Sequence, residues 1–504
     1  MDPTAARERL VSLWREIEDL RSVSAVLEWD QETFMPELGQ EARGRQLALL
    51  AGLAHERLTA TELGEAIAAA AEAAADDPEL AAMAREARRQ HRRAAAVPAE
   101  LARELAEATS AALAVWQEAR RRSDFPRFRD ALARVVELRR RQAAAIDPNR
   151  PAYEVLLDEY EPGATVASLE PVFRQLRERL APLIQAVAAS GVEIDESPAR
   201  GRFPVPAQRA FGLEVAERLG FDFRAGRLDP APHPFCTTFG RGDVRITWRW
   251  QEDDFRPALF GIMHEAGHGL YEQGLPAAWA GSPIGQAVSL GVHESQSRLW
   301  ENLVGRSRAF WRWATPIFRR HFPDHPTFDP DRIWPALHTV RPSLIRVEAD
   351  EATYNLHIAI RFDVERRLFA GELEVDDLPA AWNEGYEELL GIRPGNDAEG
   401  VLQDIHWAMG AFGYFPTYTL GNLICCQLFE SAAAELGDLD QAFAAGDFAP
   451  LLGWLRSRVH EAGSRWSAAE LVERVSGRPL AADAFLRHIR RIAEEAYGVV
   501  AEPA

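Results

Sequence analysis

Residues 4 to about 190 form one helix-forming segment after another, and this feature most strongly limits what the chain can fold into. Residues 62–145 are rich in Ala, Glu, Leu and Arg, which have high helix propensity. Prolines interrupt the pattern, because the residue before a proline disfavours helical backbone. The expected breaks are at Asp77-Pro78, Val97-Pro98, Phe125-Pro126 and Asp147-Pro148. A series of packed helices is therefore predicted for this part.

Residues 195–250 differ, because glycines and prolines mark loops there. Residues 244–250 alternate with period two and are β-branched or aromatic, which predicts a strand. Helical patterns return over residues 255–500, and no Ser/Gly-rich linker divides the chain. We therefore predict a mostly α fold: a single large helical body with a small β-sheet beside the helix that carries His264. Within this domain of residues 1–504, we expect an N-terminal helical part (1–195) and a metal-binding catalytic part (196–504).

The charge balance excludes several classes of function. The net charge is -20, which argues against a nucleic-acid partner, because binding phosphates requires clustered cations. The sequence contains no lysine, so all 57 basic residues are arginines. A Walker-A phosphate loop and Schiff-base catalysis both need a lysine amine and are therefore excluded.

The cysteines and the apolar segments bear on the compartment. The three cysteines are too few and too scattered for a disulfide framework, so a reducing, cytoplasmic setting is expected. The charged N-terminus lacks the apolar core of a signal peptide. No apolar run approaches the roughly 18 residues of a membrane helix, so no membrane association is expected.

The sequence His264-Glu265-Ala266-Gly267-His268 points to a catalytic metal site. Residues 255–271 are predicted to be helical, with Pro257 in the first turn and Gly274 at the end. Two histidines spaced i, i+4 project from one helix face with Cβ atoms about 5–6 Å apart, which suits two ligands of one zinc ion. Glu265 then lies beside the metal, where it can hold a water molecule and accept its proton.

A third ligand is expected from the segment that begins at His293, which is long enough to form a second helix packed alongside. Glu294 is the predicted ligand, because a His₂Glu set leaves a fourth position for water. The alternative is a surface carboxylate paired with Arg298 at i+4. Glu301 and Asp243 are candidates to orient the histidines from a second layer.

Several spaced segments form a set that covers nearly the whole chain. The segments are Leu-Glu-Trp-Asp at 27–30 with Met-Pro at 35–36, Asp-x-Arg-x-Thr at 243–247, His-Glu-x-x-His at 264–268, His-Glu-Ser-Gln-Ser-Arg at 293–298, Ile-Arg-x-x-Ala-Asp at 345–350, and Gly-x-x-Gln-Asp-x-His-Trp at 400–407. Together, and in this order, they resemble the carboxypeptidase Taq family (M32) of metallocarboxypeptidases, to which the thermostable carboxypeptidases belong.

The resemblance implies a helical fold with a long groove that the N-terminal helices roof. It implies release of single C-terminal residues from peptides with broad specificity and poor cleavage next to proline. It also implies one divalent metal ion per chain, Zn²⁺ or in some thermophilic members Co²⁺, and a homodimer.

An exopeptidase must bind the free α-carboxylate of its substrate, for which the planar arginine fork is well suited. The resemblance makes Arg346 the first candidate and Arg245 the second. An ion pair of Arg346 with Glu348 or Asp350 is the structural alternative. His406 is a further candidate donor to the substrate carboxylate or to the reaction intermediate, with a purely structural histidine as the alternative.

A catalytic peptidase also needs a donor to the developing oxyanion. Tyr418 and Tyr414 both follow the His406 segment and offer phenols. We expect one of them to serve, and the sequence does not choose between them. For each, the alternative is a core tyrosine with a satisfied hydroxyl.

Two other functions remain open at this level. A helical metallo-endopeptidase or oligopeptidase would use the same zinc chemistry. A scaffold that has lost its activity is the third possibility, and the intact Glu265 argues against it.

Overall fold

The helix-forming stretches of the sequence are helices in the computed structural model, which describes residues 2–326 and 329–500. The predicted proline breaks are confirmed as helix boundaries: Pro78 begins a helix, Pro98 precedes one and Pro126 lies in a first turn. At the fourth break, a helix ends at Ile146, and its C-cap residue Asp147 directly precedes Pro148. Local backbone restriction by proline therefore sets these ends.

The α-helices are numbered in chain order. The first ten are α1 (Pro3–Thr33), α2 (Gln40–Thr59), α3 (Thr61–Ala73), α4 (Pro78–Ala96), α5 (Ala99–Arg122), α6 (Phe125–Ile146), α7 (Ala152–Tyr160), α8 (Val166–Ala189), α9 (Val205–Leu219) and α10 (Arg256–Gly274). They are followed by α11 (Leu290–Arg298), α12 (Arg308–His321), α13 (Pro330–Leu337), α14 (Tyr354–Ala370), α15 (Leu378–Leu390), α16 (Pro416–Leu436), α17 (Leu439–Ala444), α18 (Ala449–Arg458), α19 (Ala468–Ser476) and α20 (Asp483–Tyr497). None of these described helices is both long and apolar enough to cross a membrane.

The described strands form a three-stranded sheet with the order β1-β3-β2. The strands are β1 (Gly226–Pro230), β2 (Cys236–Thr238) and β3 (Val244–Trp248). The central strand β3 pairs in parallel with β1 and antiparallel with β2. The predicted strand over 244–250 is thus confirmed, ending two residues early. The mostly α fold with a small sheet is confirmed as well.

Internal contacts divide the chain into two units, each built from three segments. The first unit comprises Met1–Ala95, Asp195–Leu337 and Ile424–Leu480. The second comprises Ala96–Ile194, His338–Leu423 and Ala481–Ala504. Near residue 195, where the sequence predicted a boundary, the chain passes from the second unit to the first. The functional division into 1–195 and 196–504 stays a prediction.

In the first unit, α10 packs directly on the sheet, as the sequence predicted. A Cβ atom at Gly269 would lie 2.5 Å from the Phe221 ring and 3.3 Å from Ile246 of β3, so only glycine permits this close approach. The buried side chains of β3, Val244, Ile246 and Trp248, anchor the sheet in the core. The sheet thereby fixes the position of the helix that carries His264 and His268.

In the second unit, α14 is the central element and packs against α7, α8 and α15. The rings of Phe173 and Phe362 stack at a centroid distance of 4.4 Å in this core. The polar side chains of Arg361 and Glu365 are also fully buried on α14. A buried charge must be paired or hydrogen-bonded, so these two residues organise the loops around them.

Candidate active site

His264 and His268 of α10 and Glu294 of α11 converge in the first unit. The Oε2 atom of Glu294 lies 3.5 Å from Nε2 of His264 and 3.4 Å from Nε2 of His268. The three ligand atoms lie within 4.8 Å of one another. Two imidazole nitrogens and one carboxylate oxygen at this spacing fit a divalent cation with a coordination position left for water. The structure therefore brings together the three residues predicted as metal ligands.

The two helices approach this closely because position 267 is glycine. A Cβ atom there would lie 2.6 Å from the Gln296 carbonyl oxygen and 2.6 Å from the Ser297 Cα. Both of these are backbone atoms, which cannot rotate away. The absence of a side chain at Gly267 is therefore a condition for Glu294 to reach the histidines.

Glu294 is held with one oxygen directed at the histidines. Its Oε1 accepts a 2.7 Å hydrogen bond from Nε of Arg298, and Ser297 donates its hydroxyl to Oε2. Burial alone would raise the pKa of Glu294, but Arg298 and His264 lower it well below its usual range. The predicted pair with Arg298 therefore exists, but Glu294 is only 8% exposed and is not the surface carboxylate of the alternative interpretation.

Glu301 accepts a 2.9 Å hydrogen bond from Nδ1 of His264, as expected for an orienting residue. It lies in a π-helical segment, Leu299–Val304, that continues α11. Arg298 and Arg306 both pair with it. Although burial opposes ionisation, Arg298 and His264 lower the pKa of Glu301 to about 2, so it is a carboxylate at neutral pH.

The partner of His268 was not predicted. Its Nδ1 lies 2.5 Å from Nδ1 of His293, and Nε2 of His293 lies 2.8 Å from Oε1 of Glu272. The sequence signal for this pair was a third histidine beside Glu294, together with a glutamate one turn after His268. The other predicted orienting residue, Asp243, is a wrong prediction. It lies directly before β3 and pairs with Arg245 of that strand, two residues further along the chain.

Glu265 is 6% exposed, and its Oε2 atom has no hydrogen-bond partner among the described residues. Burial raises the pKa of this carboxyl to about 7. A poorly solvated carboxylate with an unused oxygen is a stronger base than one in water. Glu265 therefore has the properties of a proton acceptor next to His264 and His268.

Arg245 of β3 is held between two aromatic rings in the first unit. Its guanidinium carbon lies 4.2 Å from the Trp29 ring centroid and 4.5 Å from that of Phe239. Its Nε and Nη2 atoms each lie 3.0 Å from the carboxylate of Asp243. Stacking and the ion pair together fix the orientation of the fork.

Arg346 lies in the second unit and has other ion-pair partners than the structural alternative named. Nε and Nη2 donate to Oδ1 of Asp404 at 3.0 and 2.8 Å, and Nη1 donates to the Tyr354 hydroxyl at 2.9 Å. The alternative interpretation, an ion pair of Arg346 with Glu348 or Asp350, is therefore wrong. The carboxylate of Asp350 instead accepts backbone N–H groups, including that of Thr353, and so stabilises the turn before α14.

Asp404 also binds Arg361, whose Nε donates to Oδ2 at 2.7 Å. Gln403 accepts from the Arg346 backbone N–H and from Nη2 of Arg361, each at 2.9 Å. Two cations hold the pKa of Asp404 well below its usual range against the effect of burial. The Gln-Asp pair of the 400–407 segment thus fixes Arg346, a role that sequence reasoning did not assign.

His406, Tyr414 and Tyr418 form a cluster in the same unit as Arg346. Nε2 of His406 lies 3.4 Å from the Tyr418 hydroxyl, and its ring centroid lies 5.2 Å from that of Tyr414. The Arg346 guanidinium carbon lies 5.0 Å from the Tyr418 ring centroid. Burial lowers the pKa of His406 to about 4, so its imidazole is neutral at physiological pH. Both tyrosines are half-buried, so neither is enclosed in the core.

Comparison with known proteins gives consistent results over the whole chain. The family model described as Carboxypeptidase Taq (M32) metallopeptidase matches residues 9–493. The thermostable carboxypeptidase 1 of Thermus thermophilus is 47% identical, with 99% of this chain and 100% of that protein covered. Carboxypeptidase 1 of Bacillus subtilis is 37% identical, with 93% and 94% covered. The crystal structure of an M32 carboxypeptidase from Deinococcus radiodurans R1 superimposes with a TM-score of 0.95 at 42% identity, covering 98% and 100% of the two chains.

Proposed function

This chain belongs to the carboxypeptidase Taq (M32) metallopeptidase family, as its motifs predicted, and we propose that it releases single C-terminal residues using a metal ion held by His264, His268 and Glu294. As a metallocarboxypeptidase it is a peptide hydrolase. Family membership favours this function over the endopeptidase and the inactive scaffold. The observation that carries the ligand assignment is the approach of one Glu294 oxygen to both imidazole Nε2 atoms.

We propose Zn²⁺ as the ion, with Co²⁺ as an alternative that the same donors accept. Borderline-soft imidazole nitrogens and one carboxylate oxygen suit both ions, so availability decides between them. The geometry also agrees with a single carboxylate oxygen as ligand, because Arg298 engages the other oxygen of Glu294.

When bound, such an ion polarises the scissile carbonyl and lowers the pKa of a coordinated water toward about 7. In the proposed mechanism, Glu265 takes a proton from the attacking water on its unpartnered Oε2 and passes it to the leaving amine. Tyr418 or Tyr414 donates its hydroxyl to the oxygen that gains negative charge. His406, neutral and 3.4 Å from Tyr418, is positioned to orient that phenol or to donate to substrate.

For the substrate carboxylate, Arg346 is our first candidate and Arg245 our second. Asp404 and Tyr354 together accept three of the five N–H groups of Arg346, and this arrangement supports a guanidinium that is oriented before substrate arrives. Asp243 and Trp29 support the same kind of advance orientation for the guanidinium of Arg245. Broad side-chain specificity agrees with recognition directed at the terminal carboxylate.

The homodimer and the cytoplasmic location stay proposals of ours, as does the N-terminal helical roof over a groove. No disulfide joins the described cysteines, which supports a reducing compartment. Light scattering of the purified protein would test the dimer.

The deciding experiment is a timed digest of a peptide, followed by mass spectrometry. We expect stepwise loss of residues from the C-terminus, stopped by a chelator and restored by Zn²⁺ or Co²⁺. The same peptide with an amidated C-terminus is the control and should remain intact. Internal cuts in either peptide would reject the exopeptidase and favour the endopeptidase.

Substitution of each arginine separates the two candidates for carboxylate binding. We expect Arg346→Met to raise KM for the free-acid peptide strongly and Arg245→Met to raise it less. If only Arg245→Met changed KM, Arg245 would replace Arg346 in this role.

A further inference from the structure

His268 and His293 face each other through the same type of ring nitrogen. Their Nδ1 atoms are 2.5 Å apart, and their ring centroids are 4.6 Å apart. Two facing N–H groups would clash through their hydrogens, and two facing lone pairs would repel each other. One proton must therefore lie between these two atoms, donated by one imidazole and accepted by the other.

Metal binding decides which imidazole is the donor. The Nε2 atom of His268 is directed at Glu294 and is the atom that would ligate the ion. A neutral imidazole that ligates through Nε2 carries its hydrogen on Nδ1. His268 must then donate, so Nδ1 of His293 must be the acceptor and the hydrogen of His293 must be on Nε2.

Glu272 is placed to enforce this arrangement. Its Oε1 lies 2.8 Å from Nε2 of His293, and a carboxylate can only accept. Tyr271, which is fully buried, packs against the His293 ring at a centroid distance of 5.3 Å and limits its rotation. Glu272 therefore fixes the tautomer of His293, and His293 in turn fixes the tautomer of His268.

We propose that Glu272 and His293 are positioning residues that hold His268 in the tautomer that presents an Nε2 lone pair to the metal. The Glu301 carboxylate orients His264 directly, by accepting a hydrogen bond from its Nδ1 atom. On the His268 side a neutral imidazole is interposed, so the carboxylate charge of Glu272 is one ring further from the ion. This inference rests on the proposed role of His268 as a ligand.

The test measures affinity rather than turnover, by competition between metal-free protein and a chromophoric chelator for Zn²⁺. We expect His293→Leu, which removes the acceptor, to weaken Zn²⁺ binding about 10- to 100-fold. His293→Asn places an amide oxygen near the former Nδ1 position and should recover much of that loss. Recovery by Asn distinguishes an acceptor role from a packing role, because Leu fills the volume of the imidazole better than Asn.

A double-mutant cycle tests whether Glu272 acts on His268 through His293. Glu272→Gln can donate as well as accept, so it should weaken Zn²⁺ binding less than His293→Leu does. In the His293→Leu background, Glu272→Gln should have no further effect, because Glu272 acts through His293. If the losses of Zn²⁺ affinity in the two single variants added up in the double variant, the two residues would act independently. That result would overturn the proposed action of Glu272 through His293.

The remaining outcomes are separable. Urea unfolding of the metal-free variants reports whether the fold itself is lost, and Glu272→Gln provides the mild variant if His293→Leu does not fold. Unchanged Zn²⁺ affinity in His293→Leu would overturn this inference alone. Unchanged affinity in His268→Ala would overturn the ligand assignment in the proposed function as well.

Discussion

Gly267 of α10 lies so close to Ser297 of α11 that a Cβ atom on the glycine would be 2.6 Å from the serine Cα. This contact brings the helix with both histidines within reach of the helix with Glu294. We predict that Gly267→Ala separates the helices, lowers the free energy of unfolding by about 1–3 kcal/mol and weakens Zn²⁺ binding.

The matched control for this change is Gly261→Ala on the same helix, where a Cβ atom would meet nothing within 4 Å. That substitution should stabilise the protein by about 0.5–1 kcal/mol, because alanine is the better helix former. Urea unfolding in chelator and Zn²⁺ titration measure the two effects. Equal behaviour of the two alanine variants would contradict the close-packing argument.

Arg361 is predicted to matter for stability as well as for the position of Arg346. It is 0% exposed and shares the Asp404 carboxylate with Arg346. Arg361→Met should cost about 3 kcal/mol or more, because breaking one arm of a buried ion network leaves polar groups unpaired. It should also raise KM, since Asp404 would no longer be fixed.

Arg367→Met on the same helix is the comparison for Arg361. Arg367 pairs with Asp363, but its side chain is 34% exposed, so its loss should cost no more than about 1 kcal/mol. Chemical denaturation and steady-state kinetics on both variants check the prediction. A similar loss of stability in both variants would contradict a special role for the buried ion pairs of Asp404 with Arg346 and Arg361.

The buried carboxyl group of Glu365 should make the stability of the protein depend on pH. Burial raises its pKa from the usual 4.5 to about 7, although Gly413, Trp407 and Tyr153 donate hydrogen bonds to it. Between these values the folded protein keeps a proton that the unfolded chain has lost. Stability from this group is therefore complete below pH 4.5 and is lost as pH rises to about 7, by about 3 kcal/mol in total.

Thermal unfolding of wild type and Glu365→Gln at intervals from pH 4.5 to 8 measures this effect. The stability of wild type relative to the variant should decline as pH rises and level off above pH 7. Glu388→Gln, which removes an exposed carboxylate, is the control for loss of one negative charge. A difference between wild type and Glu365→Gln that does not change with pH would show that Glu365 titrates normally.

Glu265→Gln should separate catalysis from metal binding. Because Glu265 is not among the proposed ligands, the variant should keep its bound metal while kcat falls by about 100-fold or more. Metal analysis and peptide turnover on the same sample provide both readouts. His264→Ala is the counterpart, for which we expect loss of metal and activity together. Full activity in Glu265→Gln would assign the general base to another residue.

Much of the fold could be read from the sequence because helix propensity, proline positions and hydrophobic periodicity act over a few residues. The ends of α4, α5 and α6 follow from their prolines. The spacing of His264 and His268 is likewise a property of one helix, so their common face was determined before any tertiary contact was known.

The tertiary structure alone decided the partners of these groups. His293 faces His268, Asp404 binds Arg346, and Asp243 turns to Arg245 rather than to a histidine. Such pairs join residues on separate elements, or a strand residue to the residue just before that strand, and helical periodicity carries no information about either. The burial that raises the pKa of Glu265 is also a product of the assembled core. The sequence by itself thus determined which groups are available and on which helix face they lie, whereas packing decided which of them meet.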